Sequence, residues 1–176
     1  PDLVPADSVE VYFHYGFPAA LGGGPYARRS WLIRRSLAQA VLVVDADRGG
    51  VWSVAVDGTL RGRWDAIAGS GQVWNEPFGI AVDRDGFAYV TDTGGDRVVK
   101  LDADGRFVAA WGGRGLALGA FFRPMGLGLM ENGRLIVVDH GNHRAQFLTP
   151  DGEALHMFGS GFFTRPIRGR SGVPRI

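Results

Sequence analysis

The 176-residue sequence contains no cysteine, which excludes disulfide bonds, thiolate zinc sites and a cysteine nucleophile. It contains a single lysine, Lys100, so nearly all of its 19 basic residues are arginines, as the codon usage of a GC-rich bacterial genome produces. No apolar run approaches the roughly 18–20 residues that cross a bilayer, so we expect a chain that is not integral to a membrane. The formal net charge of +1 argues against a general nucleic-acid binder.

What the sequence has in excess is glycine. It contains 28 Gly and 9 Pro, which predicts many tight chain reversals, because glycine tolerates the positive φ angles that turns require. A hydrophobic content of 45% with 21% charged residues is that of a folded domain. The chain begins at Pro1 rather than methionine, which indicates a processed, truncated or partial product. Localisation is therefore unknown from the sequence, and a periplasmic or other extracytoplasmic site is our working expectation.

The turn signals recur with a fixed period of 47 residues. Asp57-Gly58, Asp104-Gly105 and Asp151-Gly152 lie at this spacing. Three further sets of markers share it: Asp45, Asp92 and Asp139; Gly86 and Gly133; and Trp64, Trp111 and Phe158. Several independent markers on one period identify an internal repeat.

Each repeat reads as four short strands separated by turns. In the clearest copy the strands are predicted at 79–82, 87–91, 97–101 and 106–111. Four antiparallel strands in about 47 residues correspond to one blade of a β-propeller. The segment 26–40 is ambiguous, since it mixes arginine pairs with β-branched residues and also fits a helix.

Residues 78–97, continuing to Trp111-Gly112, resemble an NHL repeat, and so does the copy at 126–159 with its Asp139…Asn142…Arg144 pattern. A third, decayed copy spans about 30–65, with Gly50 where the other copies have arginine. The resemblance implies a propeller of four-stranded blades, commonly six, that serves mainly as a binding platform.

We therefore predict an all-β fold of about three NHL-type blades plus an extra N-terminal strand, forming an open or partial propeller. The predicted division is an N-terminal strand and Gly/Pro-rich loop (1–29), three blades (30–76, 77–123 and 124–166) and a basic tail (167–176). The extra strand, at 9–15, is predicted at the outer-strand position of a missing blade. The open ends could be closed by a degenerate fourth blade, by a second copy of the chain or by another protein, and the last two are favoured.

The loops that follow each second strand share one end of the blades with the loops between blades. Aromatic and polar residues gather there, and we expect exposed aromatics on these loops to bind a partner. The candidate partner-binding residues are Trp74, Phe121, Phe122, Arg123, His140, His143 and Arg144.

Several of these residues also have a purely structural interpretation. Asp139 and the two histidines after it are metal-ligand types, but an aspartate that recurs in every blade is more simply explained as a turn cap, so no metal or other cofactor is predicted. Arg97 and Arg144 could bind an anion, although the structural alternative, bonds to carbonyl groups or to an aspartate of a neighbouring blade, is favoured. Trp64 and Trp111 are predicted to pack between blades.

Two arginine clusters break the overall neutrality, and the second lies in a tail segment without any acidic residue. The simpler interpretation is a solvated loop and a solvated tail. The functional alternative is an electrostatic contact with an acidic protein, an anionic membrane surface or, last in rank, RNA phosphates. The proposed basic contacts are Arg28, Arg29, Arg165, Arg168, Arg170 and Arg175.

Three functions remain open from the sequence. The first is a non-catalytic interaction or scaffold module within a larger, possibly membrane-associated and extracytoplasmic, complex. The second is a metal-dependent hydrolase or lyase. It would be similar to the propeller lactonases or to the peptide-amidating lyase, whose repeats resemble those of this chain. The inner strands at 79–82 and 126–129 disfavour this function, because they are apolar and offer no metal ligand to the central channel. The third is an RNA-binding NHL module.

Overall fold

The computed structural model describes residues 40–46, 48–55 and 57–159, together with the backbone of two N-terminal strands. Within these residues the chain forms fifteen β-strands and two short 3₁₀ turns, Thr93–Gly95 and His140–Asn142. The strands are β1 (Val11–Tyr15), β2 (Arg29–Arg35), β3 (Ala40–Asp45), β4 (Gly50–Ala55), β5 (Leu60–Trp64), β6 (Ala66–Ile67), β7 (Gln72–Val73), β8 (Pro77–Val82), β9 (Ala88–Asp92), β10 (Arg97–Leu101), β11 (Phe107–Gly112), β12 (Pro124–Leu129), β13 (Leu135–Asp139), β14 (Arg144–Leu148) and β15 (Ala154–Phe158).

The strands assemble into three antiparallel blades. Strands β2–β5, β8–β11 and β12–β15 each form a sheet in chain order, and the small β6–β7 hairpin lies between the first two blades. The strands of the second and third blades begin at positions 47 residues apart throughout. The fold prediction is confirmed: the protein is all-β, with four-stranded blades and an extra N-terminal strand, and its described sheets do not close into a ring.

The N-terminal strand lies elsewhere than predicted. Strand β1 pairs antiparallel with β2, with Val11 opposite Ile33 and Tyr15 opposite Arg29, so it adds a fifth strand to the first blade. The expectation of an outer strand in a separate blade is wrong. Pairing with β2 satisfies the backbone groups along an edge that would otherwise be unpaired. Within the ambiguous segment 26–40, Arg29–Arg35 form strand β2, because pairing with β1 and β3 on its two edges overrides any helical preference.

Strand β8 packs against both β2 and β12, which places the first strands of the blades next to one another. Between the blades lie two hydrophobic clusters. The first joins Leu42, Val44 and Val51 of blade one to Val90 and other residues of blade two. The second joins Tyr89 and Val98 of blade two to Leu135, Val137 and Leu148 of blade three. Burial between neighbouring blades is therefore the main apolar stabilisation of the fold.

Each blade interface contains the same aromatic contact. The Trp64 indole lies over Gly105 of the second blade, and the Trp111 indole lies over Gly152 of the third. Both glycines have positive φ, +81° and +88°, and a Cβ at either position would collide with the tryptophan ring. The glycine of each Asp-Gly turn thus serves the turn and also makes room for the preceding blade.

Polar contacts fix the second and third blades to each other. The Thr91 hydroxyl accepts the Gly79 N–H and donates to the Met125 carbonyl at 2.7 Å. The Lys100 ammonium donates to the Pro150 carbonyl at 3.0 Å and lies 4.5 Å from the centre of the Phe87 ring. Because Lys100 is buried, these bonds replace the water that its charge would otherwise bind. In the part of the chain that is described, no helix is long and apolar enough to cross a bilayer.

Candidate functional site

The loop end of the third blade is built on a buried ion pair. Asp139 is the last residue of β13 and Arg144 is the first residue of β14, so the two are direct partners in the sheet. Arg144 Nε donates to Asp139 Oδ2 at 2.6 Å, and both side chains are almost fully buried. The same carboxylate oxygen accepts the side-chain N–H groups of Asn142 and Gln146. Such a carboxylate is satisfied by its own blade and is not available to a substrate.

This network also holds the loop between the second and third blades. Arg144 donates to the carbonyl groups of Leu116, Ala117 and Ala120, at 2.6 to 2.9 Å. Asp139 Oδ1 accepts the backbone N–H of Phe122 at 2.7 Å. The carboxylate does not cap the turn that follows it, contrary to the structural interpretation of the sequence. Instead, the Asp139 carboxylate binds the interblade loop through the Phe122 N–H.

The second blade repeats the arrangement. Asp92 accepts the Asn75 N–H at 2.6 Å and pairs with Arg97 at 2.8 Å. Arg97 also donates to Gln72 and to the Val73 carbonyl of the β6–β7 hairpin. Burial raises the pKa of Asp92, against the hydrogen bonds from Asn75 and Arg97, which lower it. Arg97 and Arg144 therefore bind carbonyl groups, as the structural interpretation predicts. The expected aspartate of a neighbouring blade is wrong: each arginine pairs with an aspartate of its own blade, which lies opposite it in the sheet.

Two of the predicted contact aromatics are not on the surface. Trp74 is buried, with its Nε1 donating to the Trp64 carbonyl at 2.9 Å, and Phe121 is fully buried against Gly112. The expectation that they are exposed is wrong, because both interblade loops fold inward and place an aromatic ring beside the preceding blade. Arg144, also predicted to contact a partner, is buried by the network described above.

The remaining predicted loop residues are accessible. Phe122 is half-buried beneath the Arg114 guanidinium, and Arg123 is exposed and pairs with Glu76 at 2.7 Å. His140 and His143 are exposed, with ring centres 6.4 Å apart. Among the described residues there is no group of three His, Asp or Glu side chains placed to hold a metal ion.

Most of the predicted basic contacts fall outside the described residues: Arg28, Arg165, Arg168, Arg170 and Arg175. Arg29 begins β2, of which the backbone alone is described. Their role in binding stays a prediction.

The structure identifies the residues at the open ends that the sequence predicts, beginning with a face of the third blade that none of the described residues covers. The side of the third blade turned away from the second presents paired apolar residues, with Val138 opposite Ala145 and then Phe158, and Ile136 opposite Phe147. We call this the C-face, formed by Ile136, Val138, Ala145, Phe147, His156 and Phe158. His156 is exposed and stacks on the Phe147 ring, with ring centres 4.3 Å apart. The sequence signal for an exposed aromatic on this face is the 47-residue period. It places Phe158 in the position of Trp64 and Trp111, and no described blade follows Phe158.

A groove of about 340 Å³ runs from the loop end onto the C-face, between His140 and His143 on one side and Val138 and Phe158 on the other. Gly159 at its edge occupies the position that Gly112 has in the second blade, where Phe121 fills the space. The groove beside Gly159 therefore corresponds to the space beside Gly112 that the Phe121 ring fills in the second blade. A second space, of about 510 Å³, lies between the first two blades beside Trp64.

The side of the first blade turned away from the second is the opposite face that no other described blade covers. Val41 lies opposite Val54, which is followed across the sheet by Leu60, and Val43 lies opposite Trp52. We call this the N-face; its residues are Val41, Val43, Trp52, Val54 and Leu60. The guanidinium groups of Arg48 and Arg63 lie within 6 Å of the Trp52 ring centre, at 5.8 and 5.3 Å.

No family model and no curated protein matches the chain. Solved structures do match. The hydrazine synthase of Kuenenia stuttgartiensis is 17% identical with a TM-score of 0.54, over 69% of this chain and 33% of that one. The virginiamycin B lyase of Staphylococcus aureus is 12% identical with a TM-score of 0.54, over 87% and 60%.

A functionally unknown protein of Desulfotomaculum acetoxidans is 14% identical with a TM-score of 0.53, over 91% of this chain and 55% of that one. The chain thus spans about one third to three fifths of the length of these structures. At such identities the likeness establishes the fold and nothing more. The chain is similar to propeller-type proteins, in agreement with its three blades.

Proposed function

We propose that this chain is an NHL-type protein-interaction module, a subunit of a larger complex in which protein covers the C-face and the N-face. The observation that carries the proposal is the exposure of the C-face compared with the equivalent positions of the second blade. Val138 is 45% exposed, whereas Thr91 at the same position of the second blade is fully buried. Phe158 is 58% exposed, whereas Trp111 is half-buried under the third blade.

The N-face shows the same contrast. Leu60 is 55% exposed, and Val43 and Val54 are half-buried. Val90 and Leu101, which are the second-blade equivalents of Val43 and Val54, are fully buried by the first blade. Apolar faces of blades are normally covered, because each blade of a repeat protein buries its hydrophobic surface against a neighbour.

The chemistry of the loop end supports binding rather than catalysis. Its two buried carboxylates, Asp92 and Asp139, each pair with an arginine and accept loop N–H groups, so the second and third blades share the pattern. A group that recurs in this way serves the fold. The accessible residues of the loop end are polar, as at the rim of an interface. His140 and His143 border the C-face groove, and Arg123 lies on the neighbouring interblade loop.

The proposal is tested by placing a photoactivatable amino acid at Val138 in the source cells. Val108, on the outer strand of the second blade, is the matched control, since it is also a valine and also 45% exposed. We expect a discrete protein adduct from position 138 and none from position 108. The absence of any adduct at 138, or equal adducts at both positions, would contradict the proposal.

A further inference from the structure

The C-face and the N-face are the two unmatched halves of an interface that occurs twice inside the chain. We infer that a second copy of this chain covers them, with the C-face of each copy on the N-face of the other, so that two three-blade arcs close into one six-bladed ring. This inference rests on the proposed function and names the partner.

The tryptophan–glycine contact provides the first argument. Within the chain, Trp64 is matched by Gly105 and Trp111 by Gly152. Among the described residues, one aromatic and one glycine position of this repeat lack such a contact. The aromatic is Phe158, whose ring is exposed on the C-face, and the glycine is Gly58 of the first Asp-Gly turn. Gly58 has the same positive φ, +89°, and none of the described residues would lie within 4 Å of a Cβ at that position. If the Phe158 ring lay over Gly58 of the second copy, it would form the same contact that Trp64 makes with Gly105 and Trp111 makes with Gly152.

The composition of the two faces provides the second argument. At the second-to-third blade interface, Thr91 and Lys100 supply polar bonds to Met125 and Pro150. The C-face has Val138 and Phe147 at the positions of these two residues. It therefore resembles the apolar face of the first blade, whose residues at the same positions are Val44 and Ser53 and which packs on an apolar face of the second blade.

The N-face offers an apolar counterpart of that kind. Its Val41, Val43, Val54 and Leu60 stand where the second blade has Ala88, Val90, Leu101 and Phe107, the residues that the first blade covers. In their aliphatic residues the C-face and the N-face thus correspond to the interface between blades one and two. They differ from it at His156 of the C-face, where the first blade has Gly62, and at Trp52 of the N-face, where the second blade has Val99. The contact is continuous with an interface already present in the fold, so no new mode of packing is needed.

The number of blades provides the third argument. Closed propellers typically contain four to eight blades, and six is the multiple of three in that range. Two arcs of the three described blades add up to a ring of this size. A two-fold axis then makes the two new interfaces identical, which is the commonest symmetry of soluble oligomers.

Sedimentation equilibrium of the purified 176-residue chain tests the inference. We expect a dimer that Phe158→Ser weakens by about tenfold or more, as loss of a buried aromatic anchor does. Gly58→Ala should weaken it similarly, because the new methyl group would meet Phe158 of the second copy. Gly69→Ala is the matched control, since Gly69 has φ +87° with no described atom within 4 Å, and it should leave dimerisation unchanged.

Absence of native cysteine allows a direct test of proximity. Chains carrying Phe158→Cys and chains carrying Gly58→Cys, once mixed, should be joined by a short thiol-reactive crosslinker. Trp111→Cys with Gly152→Cys in one chain is the positive control, and Phe158→Cys mixed with Gly69→Cys chains is the negative control. Circular dichroism verifies that each variant is folded. We expect this of the Phe158→Cys and Gly58→Cys chains because both positions are exposed, and of the double variant because removal of the Trp111 indole makes room for the new side chain at position 152.

A single-chain mass at all concentrations would overturn the inference, as would a dimer indifferent to Phe158→Ser and Gly58→Ala, or open polymers in place of a dimer. A monomeric purified chain that still gives an adduct to a different protein from position 138 in cells would overturn this inference and leave the proposed function standing. A monomer with no adduct would overturn both.

Discussion

Trp111 lies over Gly152 of the following blade, so closely that the glycine has no room for a side chain. The positive φ of Gly152, +88°, adds a second reason for glycine at this position. The contact joins two blades through one ring and one backbone segment, and its recurrence at Trp64 and Gly105 makes it the unit of blade packing in this chain.

The substitution Gly152→Ala should destabilise the chain strongly. It adds the cost of left-handed backbone in a non-glycine residue, about 1–2 kcal/mol, to an overpacking cost of about 1–3 kcal/mol against the indole. Gly69→Ala, with nearly the same φ but open surroundings, should show the backbone cost alone. Urea denaturation measures both, and equal losses of free energy of unfolding would contradict the packing role of Trp111.

Replacing Arg144 by methionine should cost about 3–5 kcal/mol in the free energy of unfolding, because it leaves the Asp139 carboxylate buried and without its cation. The same change at Arg106 is the control. Arg106 forms its ion pair with Asp104 on the surface, and such pairs contribute about 1 kcal/mol or less. A loss at position 144 no larger than that at position 106 would show that the network does not hold the interblade loop.

The stability deficit of Arg97→Met should depend on pH. Burial already raises the pKa of Asp92 above its ordinary value of 3.8, and removing the neighbouring guanidinium raises the folded-state pKa further. The folded variant then binds a proton that the folded wild-type protein releases, so the deficit is largest at neutral pH and shrinks as the pH falls through the variant's folded-state pKa.

Denaturation curves of both proteins across the acid range provide the measurement. In an Asp92→Asn background no carboxylate is left to titrate, and the effect of Arg97→Met should lose this dependence. A deficit that is constant with pH, or that grows in acid, would show that Asp92 is not the group controlled by Arg97.

Lys100 should resist amine-reactive reagents in the folded protein. Its ammonium group is buried and bonded to the Pro150 carbonyl beside Asp151 of the third blade. Because Lys100 is the only lysine, acetylation of its peptide is readily followed by mass spectrometry. We expect slow modification in native buffer and complete modification in denaturant; comparable rates in the two conditions would argue against a fixed contact between the blades.

The blade pattern was predictable from the sequence because its signals are local. Asp-Gly turns, short β-branched runs and a constant period identify hairpins without knowledge of what packs on them. Strand β10 has the predicted bounds, 97–101, and the other strands of the second blade agree within two residues. The pairing of β1 was not predictable in this way, because it depends on which sheet edge is free in three dimensions.

The placement of the loop aromatics was missed for a related reason. Trp74 and Phe121 lie in polar, glycine-containing loops, which suggests exposure, yet a space beside the preceding blade takes each ring. Sequence alone does not show that space. Conversely, Val138 and Phe158 read as ordinary strand residues, and their exposure is evident only when each is compared with its structural equivalent in the second blade.

The central claim, that protein covers the uncovered blade faces, is tested most directly by the mass of the native particle. The chain, purified gently from its source, would be weighed by native mass spectrometry beside its Phe158→Ser variant. The account predicts, for the wild-type protein, particles heavier than the single polypeptide, whose mass is measured on the same preparation after denaturation, with free single chains released by Phe158→Ser. A native preparation consisting of single chains would contradict it.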